Sequence, residues 1–178
     1  SDRIEVLRRG GYSCLEPSVT PTQIMAAVTH ALRQSIVSPK VMIVDDDPEL
    51  LEGLSTLLQP WGFEFTTLDD PLQFWDVLPI IAPDLLILDV EMPDVNGIEL
   101  CQLIRGDPHW SKLPVLFLSA HTDAKTQHQA FTAGADDYVS KPVIAAELAT
   151  RMLNRWQRVC RLREEENTDH GHQTHFNY

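Results

Sequence analysis

The sequence predicts an α/β fold, a five-stranded parallel sheet with helices on both faces. Three observations predict it. Between residues 40 and 160, five short β-rich runs alternate with five stretches of helical apolar spacing. Two of the runs, Leu85–Leu88 and Val115–Leu118, are apolar at every position, as strands covered on both faces must be. Polar side chains follow the runs directly, where ligands sit in open parallel sheets.

The elements follow in order. Val41–Val44 is the first strand and ends in Asp45-Asp46-Asp47-Pro48. Leu50, Leu51, Leu54, Leu57 and Leu58 recur at helical spacing over Glu49–Leu58. Asp47 caps that helix, and Pro60 and Gly62 end it. Phe63–Thr67 is a strand, and Asp70 with Pro71 opens a short helix over Pro71–Val77. After the third strand, Met92–Gly97 is a loop and Ile98–Ile104 a helix. After the fourth, Lys125–Ala133 is a helix closed by Gly134. Tyr138-Val139 is a brief fifth strand, and Ala145–Trp156 the last helix. Its apolar stripe of Met152, Leu153, Trp156, Val159, Cys160 and Leu162 carries it to Arg163.

Composition narrows the function. The chain has 178 residues, 43% hydrophobic and 22% charged, an ordinary globular balance. It carries 14 Lys+Arg against 26 Asp+Glu, net -12. Residues 1–39 are net +1, 40–160 net -11 and 161–178 net -2, so the acidity belongs to the middle segment. So acidic a domain lacks the phosphate-binding footprint of a direct nucleic-acid binder. No apolar run is long enough to span a bilayer, and no signal peptide opens the chain. Cys14, Cys101 and Cys160 form no paired motif, which points to a reducing, cytoplasmic protein without disulfides.

The strand ends carry the chemistry. The first gives Asp45 and Asp46, the third Asp89, the fourth Ser119, and the fifth leads to Lys141. In a parallel sheet these ends share one rim. Three carboxylates there repel one another unless a cation joins them, and oxygen-only ligands suit Mg²⁺. An ionised carboxylate beside Mg²⁺ and a lysine can attack phosphorus, and a serine hydroxyl can hold an oxygen of the transferred group. Singly, an Asp after a strand is usually a helix cap and a Ser there usually bonds to nearby backbone. Their order and spacing together are hard to reach by accident.

These stretches resemble a known family. Val44-Asp45-Asp46-Asp47-Pro48, Leu88-Asp89 with Met92-Pro93 and Gly97, Leu118-Ser119-Ala120, and Gly134-Ala135-Asp136-Asp137-Tyr138-Val139-Ser140-Lys141-Pro142 look like the receiver domain of a bacterial two-component response regulator. The resemblance covers residues 40–160. It implies a doubly wound (βα)5 sheet of flavodoxin-like order 2-1-3-4-5. It implies Asp89 as phosphoacceptor, Mg²⁺ as cofactor, Asp46 as a direct metal ligand and Asp45 as a ligand through water. The Glu91 backbone carbonyl completes the set, and Lys141 pairs with the phosphoryl group. Ser119 and Tyr138 are the implied switch pair, with Tyr138 turning inward once Ser119 moves toward the phosphoryl group. The implied partners are a histidine kinase or a phosphotransfer protein. A homodimer or an output domain would meet the 125–160 face. By the same resemblance the domain catalyses only its own phosphorylation and dephosphorylation, so it is not a turnover enzyme. Ser119 stands where the family more often has Thr, and Val143 where an aromatic is common.

Two other readings remain open. A haloacid-dehalogenase-type phosphatase also uses Asp, Ser, Lys and Mg²⁺ at strand ends, but its nucleophile lies on the first strand and an acidic pair follows its lysine. Here the acidic pair comes first and the acceptor third. A phosphate-independent docking receiver would be marked by loss of Asp89 or Lys141, and both are present.

The flanks add expectations of their own. Shifted by 124 positions, Leu7 falls on Phe131, Gly10 on Gly134, Leu15 on Val139, Val19 on Val143 and Ile24 on Leu148. Residues 1–38 therefore read as the strand–helix end of an upstream receiver-like repeat plus linker, with residues 39–160 the receiver. That upstream copy is degenerate, because Pro17 falls on Lys141. Residues 161–178 read as a linker or disordered tail, in which His170, His172 and His175 make no convincing metal site. A long helix after a receiver is also similar to linkers to diguanylate cyclase domains.

Overall fold

The computed structural model describes residues 38–172. The chain divides into two units at Ser38 and Pro39, and every element described here belongs to the second. The expected upstream repeat lies outside the described residues.

The strands are β1 (Lys40–Val44), β2 (Glu64–Leu68), β3 (Leu85–Asp89), β4 (Val115–Ser119) and β5 (Asp137–Ser140). The α-helices are α1 (Pro48–Leu58), α2 (Phe74–Ile81), α3 (Gly97–Gly106), α4 (Ala124–Thr132) and α5 (Ala145–His172). All strand pairs are parallel, in the order β2-β1-β3-β4-β5. This is the doubly wound, flavodoxin-like order that the resemblance implies.

Alternation along the strands divides the core into two layers. Met42, Val44, Leu86, Leu88, Val115 and Phe117 pack with Phe74, Leu78, Leu100, Ile104 and Ala130 of α2, α3 and α4. Val41, Ile43, Leu85, Ile87, Leu116 and Leu118 pack with Leu51, Leu54 and Leu58 of α1 and Leu148 and Met152 of α5. Both faces of β3 and β4 are thus covered, and both strands are buried throughout.

Local chemistry sets the boundaries. The Asp47 carboxylate accepts from the Glu49 and Leu50 amides and starts α1. A 3₁₀ turn at Gln59–Trp61 ends it at Gly62, whose φ of 79° is left-handed. Asp70 caps a 3₁₀ turn over Pro71–Gln73, so the helix expected from Pro71 begins there as 3₁₀ and becomes α at Phe74. It also outlasts Val77, because Pro79 stands in its last turns and forfeits only one backbone bond. Asn96 and Asp123 cap α3 and α4.

The last helix is longer than its apolar stripe announces. Helix α5 runs to His172, past Arg163, so the first part of the 161–178 segment is helical. Arg161, Arg163 and Glu164–Glu166 are good helix formers, and no Gly or Pro interrupts before Gly171. At its inner end, Arg151 and Arg155 bond to the Asp137 carboxylate of β5 at 2.9 and 3.1 Å.

One glycine fixes the approach of α3 to the sheet. A Cβ at Gly97 would stand 1.9 Å from the Asp89 backbone carbonyl oxygen. Gly97→Ala therefore has to push α3 away from β3. We expect it to lower stability by about 1–3 kcal/mol, the usual cost of overpacking, read as a lower urea midpoint. An unchanged midpoint would show that α3 shifts without strain.

Candidate functional site

The register brings the expected site residues to one rim. Val44 pairs with Leu88 and Asp89 with Leu118, so Asp45 and Asp89 leave adjacent strands side by side. Ser119 pairs with Ser140, and Lys141 follows. The Lys141 amide donates to the Ser119 carbonyl at 2.7 Å, which continues the ladder one step and sets the direction of the lysine. Its Nζ donates to Asp45 Oδ2 at 2.7 Å and to Asp89 Oδ1 at 2.8 Å. The peptide bond between Lys141 and Pro142 is cis.

Burial decides the electrostatics of this triad. Asp45 is only 2% exposed. Burial raises its pKa, and the hydrogen bonds from Lys141 and from the Asp47 amide at 3.1 Å offset only part of that rise. At Lys141 burial pulls the pKa down. The two carboxylates outweigh it through hydrogen bonds and charge, and hold the ammonium above its usual value. Lys141 therefore stays charged at neutral pH. Asp89 is buried too, and the Glu91 amide donates to its Oδ2 at 2.7 Å.

The next layer holds the expected switch pair. Ser119 is 1% exposed, and its Oγ accepts from the His121 amide at 3.1 Å. Its own proton stays available to a nearby acceptor. Tyr138 is 8% exposed, lies with its ring centroid 6.4 Å from that of Phe117, and donates its hydroxyl to the His121 carbonyl at 2.8 Å. Tyr138 therefore stands in the inward position of the expected switch pair. The buried ring fills space beside β4, and the hydroxyl finds a carbonyl at the edge.

Two residues join the site that sequence reasoning missed as side chains. His121 Nε2 donates to Glu91 Oε1 at 2.8 Å. Glu91 was expected to contribute only its backbone carbonyl, and His121 nothing. The pair links two loops thirty positions apart and belongs to no motif, so only its place two residues after Ser119 hinted at it.

The donors suit a hard cation. Asp45 and Asp89 share one ammonium, so the buried part of the rim keeps a net negative charge. Its donors are all oxygen, which suits Mg²⁺. Asp46 is exposed beside Asp45 and can turn toward the rim from the solvent side. Among the described residues no three His, Cys, Asp or Glu side chains gather into a cage. The Cys101 thiol is buried and pushed up to about 11 by that burial, so it takes no part.

The model of the response regulator receiver domain matches residues 41–153. The chain belongs to that family. It is 57% identical over 159 residues to protein RcaC of Microchaete diplosiphon, an overlap of 89% of this chain and 24% of RcaC. It is 37% identical over 119 residues to the DNA-binding response regulator MtrA of Mycolicibacterium smegmatis, covering 67% of this chain and 51% of MtrA. The receiver domain of the Francisella response regulator 1452 superposes with a TM-score of 0.64 at 27% identity, over 68% of this chain and 99% of that one. The chain thus spans about a quarter of RcaC and half of MtrA. A receiver of a response regulator is a part of two-component signal transduction rather than a turnover enzyme. No helix among the described residues is long and apolar enough to cross a membrane.

The Glu91 contact has a measurable consequence. The hydrogen bond to Glu91 and the charge of Glu91 raise the His121 pKa above 6.5 against an opposing desolvation, with smaller help from the charges of Asp123 and Asp89. A raised folded value means that the contact contributes most below pH 6.5 and fades as pH rises through the folded pKa. In an NMR titration the His121 ring should titrate above 6.5, and Glu91→Gln should move it down. A titration indifferent to that substitution would show that the pair does not form in solution.

Proposed function

We propose that this domain is a phosphorylation-controlled switch in which Asp89 accepts a phosphoryl group from a histidine kinase or a phosphotransfer protein. The observation that carries this reading is the grip of Lys141 on Asp89, at 2.8 Å, inside a buried rim that also holds Asp45 and Ser119. A carboxylate so held is aimed, with its second oxygen fixed by the Glu91 amide.

The chemistry follows from the placement. An Asp89 carboxylate oxygen attacks phosphorus in line, the phosphorus–nitrogen bond of the donor phosphohistidine breaks, and an acyl phosphate forms on Asp89. Lys141 offsets the charge carried in. The Ser119 hydroxyl, buried beside the carboxylates, donates its free proton to a phosphoryl oxygen. Asp46 directly, Asp45 through water, the Asp89 carboxylate and the Glu91 carbonyl would hold Mg²⁺. That ion would supply the remaining charge neutralisation.

The occupied site then acts on the 125–160 face, which carries Tyr138 and the start of α5. That face serves a second copy or an output domain outside this chain. MtrA is named as DNA-binding and is about twice the matched length, so a DNA-binding output is favoured over a cyclase. The order of the site residues disfavours a dehalogenase-type phosphatase, since Asp89 stands on β3 and the acidic pair follows β1.

With acetyl phosphate and Mg²⁺, the protein should take up one phosphoryl group per chain and Asp89→Asn none, because an amide is not an anionic nucleophile. Undiminished uptake by that variant would move the acceptor elsewhere. Millimolar Mg²⁺ should raise the melting temperature, since the folded rim alone gathers the carboxylates. Asp46→Ala should weaken the effect, and equal shifts in both proteins would remove Asp46 from the ligand set.

A further inference from the structure

His121 touches every moving part of this site. Its amide donates to Ser119 Oγ at 3.1 Å, and its carbonyl accepts from the Tyr138 hydroxyl at 2.8 Å. Its side chain donates to Glu91 at 2.8 Å, and the Glu91 amide in turn holds Asp89 Oδ2 at 2.7 Å. One residue thus joins the serine, the tyrosine and the loop after the acceptor. Its backbone makes the first two contacts. Only the side chain crosses from the β4–α4 loop to the β3–α3 loop.

We propose that the contact between Glu91 and His121 is a latch that holds the β4–α4 loop where the His121 carbonyl captures Tyr138. It thereby biases the tyrosine toward the inward position. The latch rests on the phosphoacceptor reading only for its use in signalling. The contact itself is between two side chains and does not depend on that reading.

The geometry makes the latch adjustable. Glu91 and His121 are 70% and 39% exposed at their side chains, so the contact is screened and weak. An exposed pair of this kind changes an equilibrium by about two- to five-fold. That suffices to shift the ratio of inward to outward tyrosine without locking it. A ligand that favours the inward state then binds more weakly by the fraction of protein that must first turn inward. With the latch open, the affinity for a phosphoryl mimic falls by up to the same two- to five-fold.

The test uses Glu91→Ala, His121→Ala and the double variant of the full chain. Each keeps the backbone amides and carbonyls and leaves Asp89, Lys141 and Ser119 in place. Without any ligand, NMR reads the solvent accessibility of the Tyr138 ring and the hydrogen exchange of the residue 121 amide. Both should rise in either single variant, by at most two- to five-fold, and the double variant should rise no further. Beryllofluoride with Mg²⁺ should return the ring to its inward position in all of them, at a higher concentration than in the parent protein, and the fold-rise in outward ring and the fold-rise in concentration should multiply to about two- to five-fold. Equal accessibility in the parent and the single variants would overturn the latch, and so would effects that simply add in the double variant. If the parent protein failed to bind beryllofluoride at Asp89, the phosphoacceptor reading would fall. The ligand-free measurements would still decide whether the latch exists.

Discussion

Lys141 reaches from the end of β5 across two strands to hold two buried carboxylates with one ammonium. Everything else at the rim is arranged around that contact. Burying Asp45 is costly, and the cost is met only because the lysine and the Asp47 amide meet its two oxygens. Removing the ammonium would leave two buried carboxylates with only the backbone amides of Asp47 and Glu91 as partners. The parallel register is what makes the reach short, since β3 and β1 end beside each other and β4 carries the lysine's backbone. A slip of any strand by one residue would turn Asp45 or Asp89 to the opposite face of the sheet. The apolar layers therefore specify the site as strictly as the polar residues do.

Much of this was legible in the chain itself. The five apolar runs and their polar endings gave the sheet and the rim, because burial on both faces leaves strands such as Leu85–Leu88 no polar position until they emerge. The caps at Asp47 and Asp70 were legible for a local reason: a carboxylate just before Pro or an apolar run has few other tasks. What was not legible depended on contacts between distant loops or on balances of weak terms. The length of α5 is one such balance, where charged helix formers extend a helix beyond the apolar stripe that announced it. The inward Tyr138 is another. Its position follows from a hydroxyl meeting the His121 carbonyl, and no spacing in the chain records that meeting. Glu91 and His121 looked like two unremarkable loop residues until the fold set them 2.8 Å apart.

The division of labour within the domain follows from where rigidity lies. The strands that carry Asp89 and Ser119 are buried throughout, and Gly97 lets α3 press on the backbone of Asp89 with no side chain between. The acceptor itself therefore has little freedom. Freedom sits in the β4–α4 loop, where Ala120 and Thr122 are exposed and His121 is half-buried. A phosphoryl group on Asp89, as proposed, would bring roughly two negative charges to this rim. The rigid strands cannot yield to them, so the response falls on the hydroxyl of Ser119 and the loop that follows it.

The free energy available for that response is bounded. Only the difference between the phosphoryl group's contacts in the two tyrosine states can shift the equilibrium, however tightly the group itself is bound. One hydroxyl contact from Ser119 to a charged oxygen is worth on the order of 1.5–3 kcal/mol. From a strongly outward tyrosine, such a contact moves the population only part of the way, because a near-complete switch needs about 5.5 kcal/mol. From a tyrosine already captured by the His121 carbonyl, the same contact suffices to complete the turn. Capture of the Tyr138 hydroxyl by the His121 carbonyl therefore decides how far one local contact can change the face that α5 and β5 present.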